Sequence, residues 1–130
     1  MSRRMSCSMT IDAVRDPTKT VTRRHVNTWT TLKPGDRLTL IEKGMGLPKG
    51  VQQVVLAEVE IVDVRVEPLY AINTEHDPYD NAGLYREGLG HMTMREFIKF
   101  WLDGYGYAKH PFPHHICCRR IEWRYLDGER

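Results

Sequence analysis

The sequence predicts an α+β fold in which a small, curved, mostly antiparallel sheet carries short helices between its strands. Three observations point there. The run from Val55 to Glu67 is the longest β signal. Val55, Ala57, Val59 and Ile61 share one face against Glu58 and Glu60, and then Val62, Val64 and Val66 alternate with Asp63, Arg65 and Glu67, so the apolar phase slips by one residue between Ile61 and Val62. A β-bulge at the slip keeps both apolar sets facing one core and supplies the bend a barrel requires. Ile116 to Leu126 reads as a closing strand with Ile121, Trp123 and Tyr125 on one face. A helix beginning at Thr93 is the third: Thr93 and Glu96 form a capping box, Met92 and Phe97 stand at staple positions, and Met94, Phe97, Ile98 and Trp101 make a core-facing stripe.

The remaining elements follow in chain order. Met5 and Cys7 alternate with polar neighbours in an opening strand over Arg4 to Ser8. Met9 to Arg15 is a short helix with Ser8 or Thr10 as N-cap and Asp12 in its first turn, and Asp16-Pro17 ends it. An irregular run, His25 to Leu32, leads to Lys33-Pro34-Gly35-Asp36, which has proline and glycine at the central positions of a type II turn. Leu38 and Leu40 then alternate as a strand, and Gly44 to Gly50 is a loop. Pro68 opens one helical turn to Ile72, and Asp77-Pro78 starts a second short helix that runs to about Arg86 and stops at Gly88. Gly104 ends the Thr93 helix, and Tyr105 to His115 is a loop rich in glycine, proline and histidine. No repeat or interdomain linker interrupts the chain, so residues 1–130 are read as one domain.

With 41% apolar and 28% charged residues, the composition is that of an ordinary globular protein, and no window approaches the roughly 18 apolar residues of a membrane span. The first residues carry arginines without an apolar run and do not read as a secretory signal. Three cysteines, two of them adjacent, point to reduced thiols, so the cytoplasm is the expected compartment. A net charge of +2 and a pI near 8.5 fall short of the footprint of a nucleic-acid binder, for which a domain pI above about 9 is clearer. The charge is unevenly placed. Residues 1–43 carry nine Lys/Arg against four Asp/Glu, whereas the rest carries ten against thirteen.

The basic excess contains the stretch with the most chemistry, Thr18 to Arg24, where one lysine, three threonines and two arginines leave Val21 as the only apolar side chain. A solvated strand carries such residues without any function. Alternatively, an ammonium, a hydroxyl and two guanidiniums converge on an anion or a carbonyl, such as a phosphate or a nucleobase. Side chains alternate in a strand, so Lys19 and Thr22 share a site only where the backbone leaves regular β structure, and Asp16-Pro17 just upstream makes that break reasonable. Glu87 stands between a helix C-terminus and Gly88 rather than on a solvated face. Trp29, Tyr79, Tyr85 and Tyr107 are candidates to stack on a base, although each alone reads equally as packing or surface. His110, His114, His115, Cys117 and Cys118 invite a metal reading, but adjacent strand residues diverge and no Cys-x-x-Cys or His-x-x-x-His pair is present. No metal is therefore expected. Nothing fixes a base beside a cysteine, and Gly44, Gly46 and Gly50 lack the Gly-Lys-Ser/Thr ending of a phosphate loop, so neither a thiol nucleophile nor a cofactor is expected.

Several of these segments together resemble a known pattern. Lys19-Thr20-Val21-Thr22-Arg23-Arg24, Leu32-Lys33-Pro34-Gly35-Asp36, Val64-Arg65-Val66-Glu67-Pro68-Leu69, Arg86-Glu87-Gly88 ahead of Phe97, and Arg120-Ile121-Glu122-Trp123-Arg124-Tyr125 occur in the order found in an ASCH domain of the PUA-like superfamily, in its small bacterial and phage-encoded form. The resemblance implies a small PUA-like β-barrel with short flanking helices and a cleft under the lysine-threonine segment that takes RNA, DNA or a modified nucleoside. One branch of the family is an acetylcytidine amidohydrolase using a lysine, a threonine and a glutamate, and Lys19 and Thr22 match the first two at the same separation. Glu87 is the implied third member, with Glu75 as its competitor. In that mechanism Thr22 attacks the amide carbonyl, a neutral Lys19 takes its proton, and Glu87 polarises the substrate or protonates the leaving amine. The rival is a non-catalytic reader in which Lys19, Thr20, Arg23, Arg24 and Lys33 hold the ligand while Trp29 stacks a base. The reader is placed first, because the lysine-threonine-arginine signature marks the whole family and does not by itself establish turnover.

Overall fold

The computed structural model describes residues 3–43, 49–75 and 82–126. Five strands are found among them: β1 (Arg3–Ser6), β2 (Val21–His25), β3 (Arg37–Ile41), β4 (Val55–Pro68) and β5 (Cys117–Tyr125). Four helices, α1 (Ile11–Arg15), α2 (Ile72–Glu75), α3 (Ala82–Arg86) and α4 (Met94–Gly104), and two single 3-10 turns, Leu69–Ala71 and Pro113–His115, join them. The fold is α+β. Its strands form one mixed sheet in the order β1-β3-β4-β5-β2, curled as a half-barrel. β1 runs parallel to β3 and the other three pairings are antiparallel. β1 and β2 are the two sheet edges, and Arg24 on β2 donates to the Ser6 carbonyl at the end of β1 over 2.8 Å. One side chain thus spans the gap that the strands leave.

The predicted bulge is present. Ile61 pairs with Trp123 and Asp63 with Glu122, which leaves Val62 as the extra residue. Val64 then stands opposite Ile121 and packs on the first core cluster, so the phase is restored. Val62 and Val66 nevertheless stay exposed, the first because it is the bulged residue and the second because it lies further along the strand, opposite half-buried Arg119. The expectation that the whole second apolar set faces the core holds for Val64 alone.

Two clusters fill the interior. The first, including Met5, Leu38, Leu40, Val59, Ile61 and Trp123, is enclosed by the curled sheet with Val14 of α1. The second, including Leu69, Ile72, Leu84, Phe97, Trp101 and Cys118, is where the helices pack on the sheet. In α4 both capping-box hydrogen bonds form between Thr93 and Glu96, and Phe97, Ile98, Trp101 and Leu102 are buried. Burying a Phe, Ile or Leu side chain contributes about 1.5–3 kcal/mol against about 1 kcal/mol for a cap, so the stripe anchors α4 and the cap sets where it starts. The Lys33–Asp36 turn closes with Asp36 N–H donating to the Lys33 carbonyl at 3.1 Å and Gly35 at φ +92°, as a type II turn requires. Most of the Gly44–Gly50 loop, and Asp77-Pro78 with Tyr79, lie outside the described residues. No helix among the described residues is long and apolar enough to cross a membrane.

Candidate functional site

Lys19 lies in the short connection between α1 and β2, where its backbone is held from both sides. Its N–H and that of Thr18 donate to the Ala13 carbonyl at 3.0 and 2.9 Å, and its carbonyl accepts from the Trp123 indole at 3.0 Å and the Tyr125 hydroxyl at 2.6 Å. Thr20 continues the tether, donating from its N–H to the Arg86 carbonyl and accepting from Trp123 N–H, each at 2.9 Å. Regular strand geometry begins at Val21, so Lys19 is free of the alternation that would turn it away from Thr22. This is the break in β structure that a shared site demands.

β2 supplies the next groups. Thr22 and Arg24, two residues apart on one strand face, meet directly, with Arg24 Nε donating to Thr22 Oγ1 over 3.1 Å. Arg23 points the other way, and the Trp101 indole of α4 donates to its carbonyl at 2.8 Å, covering the outer edge of β2. Because β2 is an edge strand, side chains from both of its faces border one cavity.

Glu87 arrives from α3. Gly88 N–H donates to the Tyr85 carbonyl at 3.0 Å and Leu89 N–H to the Leu84 carbonyl at 2.9 Å, the two bonds of a Schellman turn, with Leu84 and Leu89 together in the second cluster. Gly88 has φ +82°, and a Cβ there would stand 2.9 Å from Ala13 Cβ and 3.1 Å from Thr10 Cβ, so backbone conformation and close packing on α1 both require glycine. The turn makes Glu87 the helix C-cap, where the dipole disfavours a carboxylate. Arg23 offsets this through an ion pair of 2.7 Å to Oε2, and the Lys19 amine donates to the Glu87 backbone carbonyl.

Lys19, Thr22, Arg23, Arg24 and Glu87 thus line one cavity of about 370 Å³, with Cys7 and Thr10 beside them. Lys19, Thr22, Arg23 and Glu87 are all buried, at 2–5% exposure. Burial pushes the Lys19 amine below the ordinary lysine value; Glu87 and Cys7 pull it back up, and Arg24 and Arg23 lower it further. The Cys7 thiol is raised by burial, with Lys19 and Arg24 opposing, and burial drives Cys118 up to about 12. Neither thiol is placed to act as a thiolate.

The other predicted residues lie elsewhere. Thr20 contributes its backbone to the tether and is absent from the cavity lining. Trp29 packs half-buried on the first cluster with Arg3 lying 4.6 Å over its ring, and Lys33 is exposed and pairs with Asp36 at 3.2 Å. Tyr85 is exposed away from the cavity, and the Tyr107 hydroxyl is 2.8 Å from His25 Nε2. The side chain of Glu75, like Tyr79, lies outside the described residues. No group of three His, Cys, Asp or Glu among the described residues is arranged to hold a metal ion. Sequence reasoning missed Met9, Phe100 and Tyr105, which border the cavity while exposed. A signal existed: Phe100 is an aromatic residue off the buried stripe of α4.

No family model matches the chain, and no curated protein matches its sequence. The curled α+β architecture is shared with the crystal structure of protein EF3133 from Enterococcus faecalis V583, family-model DUF984. The TM-score is 0.62 at 15% identity, over 98% of this chain and 81% of that one. At that identity the likeness speaks for the fold alone.

Proposed function

We propose that this cavity is the active site of an amidohydrolase of the ASCH, PUA-like type, which removes an acyl group from the exocyclic amine of a cytidine-type nucleoside. One observation carries the reading: a buried lysine with a lowered pKa, a threonine hydroxyl and a carboxylate border the same cavity. Thr22 Oγ attacks the amide carbonyl while neutral Lys19 takes the hydroxyl proton; as the carbon–nitrogen bond breaks, that proton passes to the leaving amine, and water then releases the acyl group from Thr22. Arg24, already donating to Thr22 Oγ1, supports negative charge building on that oxygen. Glu87, fixed by Arg23, hydrogen-bonds and orients the substrate's amine side. The burial of Lys19 and Arg23, and the pairing of Arg23 with Glu87, favour this reading over a phosphate-tracking surface for RNA or DNA, which needs cations displayed to solvent.

The test is a panel of acylated and unmodified nucleosides given to the wild type and Thr22→Ala, following product and binding together. The wild type is expected to deacylate N4-acetylcytidine, and the substitution to lower kcat by about a thousandfold or more. Turnover that survives Thr22→Ala rejects the nucleophile. Binding without product in the wild type makes the cavity a reader of modified nucleosides.

A further inference from the structure

Met9, Phe100 and Tyr105 are large apolar side chains left 68%, 41% and 38% exposed, and all three border the cavity that holds Lys19 and Thr22. Exposed apolar groups gathered at one cavity mouth mark a place where an apolar surface is received. Gly104 borders the same mouth and stands one helical turn after Phe100, on the same face of α4. A Cβ built on Gly104 meets no atom within 4 Å, so the missing side chain leaves open space at the cavity border. Tyr105 is fixed from behind, its ring 4.5 Å from that of Trp101 and 5.6 Å from that of His25. Met9 arrives from the segment between β1 and α1 and brings an adaptable thioether.

Two aromatic rings, an open position on α4 and a soft thioether suit a flat ring that stacks through its faces. They do not suit a phosphate, and of the two arginines that border the cavity Arg23 is already bound to Glu87 while Arg24 donates to Thr22 and to the Ser6 carbonyl. We infer that Met9, Phe100, Gly104 and Tyr105 form a slot for the planar ring of a pyrimidine nucleoside, with Gly104 setting the room for the ring. The inference rests on the small-ligand reading of the cavity, and it adds which residues select the ligand and by what contact.

Calorimetric titration of the intact protein with cytidine, N4-acetylcytidine and ribose 5-phosphate tests it, using the wild type, Phe100→Ala, Gly104→Ala and Gly104→Leu. Phe100 is partly exposed and Gly104 faces open space, so the thermal midpoints of all variants are expected to stay close to that of the wild type. Phe100→Ala is expected to weaken nucleoside binding by about five- to a hundredfold. Gly104→Leu weakens it at least as much, Gly104→Ala less, and ribose 5-phosphate, which lacks the ring, binds the wild type far more weakly than cytidine. Unchanged nucleoside affinity in both Phe100→Ala and Gly104→Leu, ribose 5-phosphate binding as tightly as cytidine, or no nucleoside binding to the wild type would each overturn the slot. The hydrolase reading fails separately: nucleosides bound in the slot without turnover end that reading and leave the slot, whereas turnover with undiminished affinity in the slot variants ends the slot alone.

Discussion

Arg23 and Arg65 lie in one row of the sheet, since Arg23 pairs across the strands with Arg120 and Arg120 with Arg65. Both reach Glu67, at 3.5 and 2.8 Å. Their surroundings differ completely: the Arg23 side chain is 0% exposed and holds Glu87 at 3% exposure, whereas that of Arg65 is 49% exposed and bridges Asp63 and Glu67. An identical residue type in the same row therefore plays two parts. Where Arg65 is open to solvent, water screens the pairs, and they contribute little to stability. In the interior each charge depends on its partner, because neither retains enough water to stand alone.

The strongest way to break the contrast is Arg23→Ala, which leaves the Glu87 carboxylate buried without its cation and is expected to cost about 3–5 kcal/mol in urea unfolding. A double replacement of Arg23 by Met and Glu87 by Leu removes both charges and is expected to recover most of that loss; recovery in the double variant separates stranded charge from lost packing. Next is Gly88→Ala, expected to cost about 2 kcal/mol through its positive φ, with more from the 2.9 Å approach to Ala13. A thermal midpoint equal to that of the wild type would mean that the turn carrying Glu87 yields freely. Lys19 sharpens the comparison through pH. Its folded pKa lies below the ordinary lysine value of 10.5, so the unfolded chain binds more protons in the window between the two values. Wild-type stability relative to Lys19→Met is therefore expected to rise with pH in that window, with a limiting slope of about 1.4 kcal/mol per pH unit, and to be lost as pH falls through the folded value. A difference that does not change with pH would mean that the amine titrates alike in both states. The smallest effect is that of Arg65→Ala, at most about 1 kcal/mol and shrinking further in high salt.

The parts of this molecule that sequence made legible are those set by neighbours along the chain. The phase slip at Val62 is a local break in alternation and appears as a bulge; Thr93 and Glu96 are three residues apart and close a capping box; Gly88 stops α3 because its conformation excludes other residues. Lys19 and Thr22 could be placed together conditionally for the same reason, since a proline upstream marks where the strand cannot yet have begun. The parallel pairing of β1 with β3 was not legible, because short strands carry no local sign of which distant edge they meet. The partner of Glu87 is equally remote: Arg23 lies 64 residues away, and only the closed sheet brings the two together. Trp29 shows the converse, as a loop tryptophan reads as a stacking platform while in the fold it packs on the first cluster with Arg3 over its ring.

The half-barrel is latched by Arg24, whose guanidinium joins Thr22 on one margin to the Ser6 carbonyl on the other. The hollow holding Lys19 therefore sits on a seam, where no ladder of main-chain bonds among the described residues joins β1 to β2. A change at Arg24 is therefore felt by both margins at once, because one guanidinium holds them together.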